Sequence, residues 1–352
     1  MRTEHASLQE GRISRSEEPL NLEMPFENVD QFITPTKSFY VRTHFPIPNI
    51  DKDKWRLSVE GEVERPLEIE YDEFLKLQRR KIPVTLECAG NNRSFLEPKV
   101  KGVQWGLGAV GTAEWTGIPL SILLERAGVK PNAREVILEG ADEGELDDAK
   151  APRGKVRFAR SVPLAKARAD VLLAFQMNNV DLPPEHGFPL RAIVPGWYAM
   201  ASIKWLTRVI AIGRPFTGYY QTLDYAFWRN GELMPLSEMQ TKAQIARPVN
   251  GETVLANSNV RVFGAAWTCD EIGRVEVSTD AGSTWEDAQL LGESKPHAWR
   301  LWQYNWHTPT RGRATLIARG TSSRGSTQPT ERDSNRGTYM INHLLPVNVT
   351  IE

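Results

Sequence analysis

The segment TLECAGNNRSFLEP, residues 85–98, holds Cys88, one of only two cysteines in a chain of 352 residues. Two small residues, two amides and an arginine follow the thiol. A thiolate is a soft metal ligand and also a nucleophile. Small residues directly after it let backbone or a bulky group approach closely. Arg93, five positions on, suits an anion held beside the sulfur. Three readings stand at this point: an inert buried cysteine at a strand end, a nucleophile that needs a histidine from elsewhere in the fold, and a metal ligand.

Outward from this segment, the totals set bounds. The length suggests two domains, and 40% hydrophobic residues can build real cores. A formal charge of −1 with 25% charged residues gives no electrostatic case for a nucleic-acid or membrane partner, so attraction for an anion has to come from local arginines. Cys88 and Cys269 are too far apart to read as a disulfide framework, which points to a reducing compartment and hence the cytoplasm. The polar start, MRTEHASLQEGRISRSEEPLNLE, carries no apolar signal core. A periplasmic protein whose signal had been removed would read the same. No apolar run reaches the ~18 residues of a spanning helix.

The chain changes texture near residues 235–250. Before that point short strands mix with helices. WRLSVEGEV (55–63), EVILEGAD (135–142), PLRAIVPG (189–196) and SIKWLTRVIAIG (202–213) read as strands. GIPLSILLERAGVKPNA (117–133) reads as a helix with Pro119 near its start and Gly128 as its stop, and residues 141–155 read as a charged surface loop. After that point come short alternating strands separated by turns, among them NVRVFGAAW, GRVEVSTDAGSTWEDAQL, AWRLWQYNW and RATLIARGTSS. The expected organisation is a loose N-terminal arm (1–30), an α+β domain (31–240) and an all-β sandwich of immunoglobulin-like class (241–352).

ECAGNNRSF, VKGVQWGLGAVGTAEWTGIPL and DVLLAFQMNNVDLPPEHGFPLRAIVPGWYAMASIKWL, taken in order, resemble the sulfite oxidase family. The resemblance runs from FYVRTHFPIP upstream to NRGTYMINH downstream, roughly residues 35 to 350. It implies a molybdenum-pyranopterin (molybdopterin) cofactor bound by the α+β domain, and a sandwich that serves homodimerisation. Cys88 takes the place of the single protein ligand to molybdenum. Phe39, Tyr40, His44, His186, Arg191, Ser202, Lys204 and Asp224 fall on cofactor-binding positions, where arginine and lysine suit a phosphate tail. Arg42, Arg93, Trp105, Tyr225 and Arg336 fall on the substrate pocket, where fixed positive charge suits an oxyanion such as sulfite. The implied activity is oxidation of sulfite to sulfate.

The chain departs from the family's pattern in two places. Asn92 stands where the family commonly has an arginine, and so does Ala201, which puts the affinity for a dianion in doubt. No haem-attachment motif, haem domain, flavin module or nicotinamide module is evident, so electrons are expected to leave to an external acceptor, a cytochrome or dioxygen. Two other readings remain. One is a reductase of nitrate or of an S- or N-oxide on the same scaffold, against which Arg336 argues. The other is a non-catalytic binding or adhesion protein using Trp299, Trp302 and Trp306 as exposed platforms.

Overall fold

The computed structural model describes residues 11–352. Its first part is built mainly of strands. One antiparallel sheet joins Arg80–Glu87, Val110–Pro119, Leu172–Met177 and Val180–Asp181, with Arg191–Ile193 also paired to Leu172–Met177. A second sheet runs Leu67–Glu70, Arg56–Gly61, Leu206–Ile212, Glu135–Gly144, Val156–Pro163. In it Arg56–Gly61 lies parallel to Leu206–Ile212 and the other neighbours are antiparallel. Apolar faces of both sheets meet in one core that includes Leu57, Val59, Val136, Leu138, Leu173 and Val209.

The helices are few and short. The helix expected over 117–133 occupies only Leu120–Ala127. Residues 117–119 instead finish a strand, because both edges of that stretch pair, with Arg80 on one side and residues 172–174 on the other. Gly128 ends the helix at φ 68°, a left-handed cap whose N–H reaches the carbonyls of Leu124 and Glu125. The charged loop begins later than expected, since the strand from Glu135 continues to Gly144.

The loose arm expected for residues 1–30 is not what residues 11–30 form; residues 1–10 lie outside the described part. Ile13–Ser16 pairs with Asn21–Glu23, which pairs with Val41–Arg42. Leu20 and Leu22 are buried against Val41. Glu23 accepts hydrogen bonds from the backbone N–H groups of Gly106 and Gly108 (2.9 and 2.8 Å). Burying apolar side chains and satisfying backbone donors outweighs the polar composition that suggested a free arm.

From Lys242 the chain forms two facing sheets. One holds Lys242–Arg247, Asn259–Trp267, Arg300–His307 and Gln289–Leu291; the other holds Thr253–Val254, Val347–Ile351, Gly312–Ser322, Ile272–Ser278 and Glu286–Asp287. Val262, Val277, Trp302 and Leu316 fill the space between them. Trp299, Trp302 and Trp306 are at most 5% exposed. They are core and junction residues, which removes the platforms that the adhesion reading required. Trp299 wedges into the first domain, where its Nε1 donates to Phe32 O and its backbone N to Thr85 Oγ1. Among the described residues, no helix is long and apolar enough to cross a membrane.

Candidate active site

Cys88 follows the last residue of the strand Arg80–Glu87 and its backbone N donates to Ala109 O (2.9 Å). The chain then folds into a tight turn, with Asn91 N reaching Cys88 O and Arg93 N reaching Gly90 O. Asn92 sits in the left-handed region at φ 74°. The small residues after the thiol now have a reason. A Cβ on Gly90 would lie 2.4 Å from the Arg93 guanidinium, which is itself pinned to Val103 O and Thr338 O (2.8 and 3.1 Å). Only glycine leaves room for the arginine to fold back over the turn.

The thiol opens into a cleft. Arg42, Phe39, Tyr40, His44, His186, Arg191, Ser202, Lys204 and Tyr225 line it with Cys88. The fold thus brings together residues from six separate stretches. Trp105 stands one layer back and packs edge-on to Tyr40. Arg93, Arg336 and Asp224 are not on the cleft wall. Asp224 accepts from Tyr339 Oη (2.7 Å), Arg336 pairs with Asp333 and donates to Asn342 Oδ1, and Arg93 lies over the Tyr339 ring. Asp224 and Arg93 thus both meet Tyr339, whose ring is 5.0 Å from that of Tyr225.

One end of the cleft is cationic and unsatisfied. Arg191 donates to His186 O and Ser202 O, and Lys204 donates to Glu185 O. The Ser202 oxygen accepts from Val194 N, which leaves its hydroxyl hydrogen to donate to a ligand. Arg191 Nε, His186 Nε2 and Asp142 Oδ1 are buried without partners. Among the described residues neither Arg191 nor Lys204 has a carboxylate within ion-pair distance. Burial pulls Arg191 down to about 10. Lys204 falls well below its usual value through burial and then the facing Arg191. Buried cations that repel each other are stabilised by an anion, and a phosphate is such a group.

The other end holds Cys88, Arg42, His44 and Tyr225. His44 Nε2 lies 2.7 Å from Tyr225 Oη, and the imidazole stacks on Phe158 at 4.3 Å. Burial, then Arg42 and Lys204, keeps the His44 imidazole neutral, with its pKa well below the ordinary value. Burial also pushes the Tyr225 phenol up, so it stays a hydroxyl and can donate. Burial alone would lower the Arg42 pKa, but Tyr225 and Cys88 raise it, so its charge is secure. Burial pushes the Cys88 thiol up while Arg42, Arg93 and the Gly90 N–H pull it back. Among the described residues no imidazole is hydrogen-bonded to Cys88, which removes the support a nucleophile would need.

Several contributors lay beyond sequence reasoning. Asp142 faces Lys204 and is almost completely buried. Arg160 is fully buried and clamps the carbonyls of Tyr220, Tyr225 and Leu236, which fixes Tyr225. Lys242, from the second domain, sits 2.8 Å from Asn92 Oδ1, so a cation does reach position 92. Such long-range meetings leave no local signal. Ala201 is fully buried.

Asp142 yields a pH prediction. Burial raises its carboxyl from 3.8 to about 7. The charged form therefore opposes folding of the cofactor-free protein. Stability is fullest below the ordinary value and is lost as pH rises towards about 7. Asp142→Asn is expected to raise the melting temperature. The gain should be near zero at about pH 4, grow to about pH 7 and stay constant above it. Thermal melts of both proteins across that range check it.

A buried thiol beside a fixed arginine, continuous with a cationic cleft, defines a centre that holds a metal through an anionic organic cofactor. Residues 44–220 match the profile of the oxidoreductase molybdopterin binding domain, and residues 234–352 that of the Mo-co oxidoreductase dimerisation domain. Mitochondrial sulfite oxidase of Rattus norvegicus is 35% identical over 339 residues, 89% of this chain and 60% of that protein. Nitrate reductase [NADH] 1 of Nicotiana tabacum is 31% identical over 79% of this chain and 34% of its own length. The crystal structure of the sulfane dehydrogenase SoxCD from Paracoccus pantotrophus superposes with a TM-score of 0.83 at 26% identity, covering 98% of this chain and 89% of that one. The chain belongs to the sulfite oxidase family of molybdopterin oxidoreductases. It spans about three fifths of the length of the mammalian sulfite oxidases it matches.

Proposed function

We propose that this protein oxidises sulfite to sulfate, with Cys88 as the protein ligand to molybdenum, and passes the electrons to an external acceptor. The observation that carries the reading is the cleft itself: a thiol and a secure arginine at one end, and at the other Arg191 and Lys204 with the buried, partnerless Arg191 Nε and His186 Nε2. Arg191, Lys204 and His186 would hold the phosphate of the cofactor's tail, and Phe39 and Tyr40 would flank its rings. When bound, the cofactor supplies two-electron redox chemistry at the metal.

The chain's own residues do the rest. Arg42 attracts and orients the anion with a charge that does not titrate. Tyr225 offers a hydroxyl, held by His44, to an oxygen of the substrate or product. Phe158, Tyr40 and Trp105 keep the surroundings apolar, which strengthens each of these interactions. Tyr225→Phe keeps the ring and loses the hydroxyl, and it is expected to lower kcat/KM for sulfite by about 10- to 100-fold. Steady-state assays with ferricyanide as acceptor check this, and circular dichroism verifies the fold. The dimerisation-domain match supports a homodimer, so sedimentation is expected to give twice the chain mass.

A second reading, a reductase of nitrate or of an S- or N-oxide, draws on Asn92, Ala201 and the likeness to nitrate reductase. Stopped-flow mixing of the reduced protein with nitrate or a sulfoxide separates the two. The sulfite reading expects no reoxidation by either, whereas rapid reoxidation would transfer the assignment to a reductase.

A further inference from the structure

Lys242 is a lysine on a strand of the second domain, only 2% exposed. Burying an ammonium is costly unless it is paired and fully hydrogen-bonded. Its Nζ donates to Glu87 Oε1 (2.5 Å) and to Asn92 Oδ1 (2.8 Å). Glu87 is fully buried; its Oε2 accepts from Trp267 Nε1 (2.9 Å), and its Oε1 also accepts from Asn91 Nδ2 (3.2 Å). Asn91 Oδ1 in turn accepts from Ala109 N. Glu87, Asn91 and Asn92 bracket Cys88 in the chain, so one ammonium grips the thiol's turn on both sides. Lys242 and Trp267 both belong to the sandwich.

An apolar pair of similar volume would hold two domains together at least as firmly. An ion pair of this kind fixes direction, because its hydrogen bonds tolerate little displacement. We propose that Lys242 is a positioning residue for Cys88: from the second domain it locks Glu87 and Asn92 and so aims the thiolate into the cleft. The inference rests on Cys88 being the metal ligand. It assigns to the sandwich a part in building the metal site, separate from any part in dimer formation.

The experiment uses the full-length protein from a host that makes the cofactor. Molybdenum per chain, the thiolate-to-molybdenum absorption band and the melting temperature are compared across variants. In Lys242→Met, molybdenum content is expected to fall about 10-fold or more, as for other residues that orient a metal ligand, and the band of what remains is expected to shift. Asn92→Lys added to Lys242→Met returns a cation to Glu87 from the other side, and is expected to restore both the band and most of the metal. A Lys242→Met protein with wild-type content and band overturns the proposal. So does a double variant that melts like wild type with its band still displaced.

If the single variant does not fold, Lys242→Met with Glu87→Gln removes both buried charges. The proposal expects that protein to fold with low metal content or a shifted band, and a wild-type band would overturn it. Cys88→Ala in the same series keeps the two claims apart. If that variant retained metal and band, the ligand assignment would fail, irrespective of what Lys242 does.

Discussion

Cys88→Ala is expected to lose the thiolate-to-molybdenum absorption band, and its sulfite turnover to fall at least ~1000-fold. Removing a residue that merely orients a ligand typically costs 10- to 100-fold in metal affinity or activity, so removing the ligand itself costs more in activity. The effect should be confined to the site. Cys88 is buried at a strand end whose backbone bond to Ala109 does not depend on the side chain, and alanine is no larger. The melting temperature of the cofactor-free variant should therefore stay close to wild type. Cys269→Ala is the internal control: that half-buried thiol lies 4.0 Å from Thr268 Oγ1 and is not among the residues lining the cleft, and its loss should leave metal and turnover intact. Absorption spectra, elemental analysis and sulfite-dependent reduction of ferricyanide on the three proteins decide the matter.

Arg42→Met should give the next largest loss, a fall of about 100- to 1000-fold in kcat/KM for sulfite, equivalent to about 3–4 kcal/mol of transition-state stabilisation. Arg42 faces both Tyr225 and Cys88, and its guanidinium is steadied by Asn21 Oδ1 and Thr43 O. A lysine at this position would keep the charge but lose the fork, so Arg42→Lys should recover only part of the activity. Molybdenum content should change little in either variant, which separates anion binding from metal binding. Activity that fell only in step with metal content would instead make Arg42 a cofactor residue.

The grouping of Cys88 with His186, Arg191, Ser202 and Lys204 was expected from the resemblance to the sulfite oxidase family, and the fold brings these residues to one cleft. The sandwich was legible because its strands alternate and are separated by tight turns. The N-terminal strands were not. Their polar residues give no apolar periodicity, yet Glu23 earns its burial by satisfying the Gly106 and Gly108 amides. The adhesion reading needed exposed platforms at Trp299, Trp302 and Trp306, and these residues are buried instead. An aromatic strand reads alike whether its face meets solvent or another sheet, and here it meets the facing sheet and the neighbouring domain. Arg160, Asp142 and Lys242 were invisible because each acts on a residue 60 or more positions away. The deficit inferred at Asn92 shows the same limit: a neighbour in space, not in sequence, supplies the cation.

The proposed reaction of this cleft is the oxidation of sulfite to sulfate at molybdenum. The most direct measurement is a single turnover. Wild-type protein of known molybdenum content is mixed with excess sulfite, with oxygen and other acceptors excluded, and the sulfate formed is quantified. Close to one sulfate per molybdenum is expected, with bleaching of the oxidised-centre absorption and no sulfate from Cys88→Ala. Molybdenum near one per chain with no sulfate formed would contradict the claim, leaving the family assignment intact and the substrate to be sought among other anions and oxides.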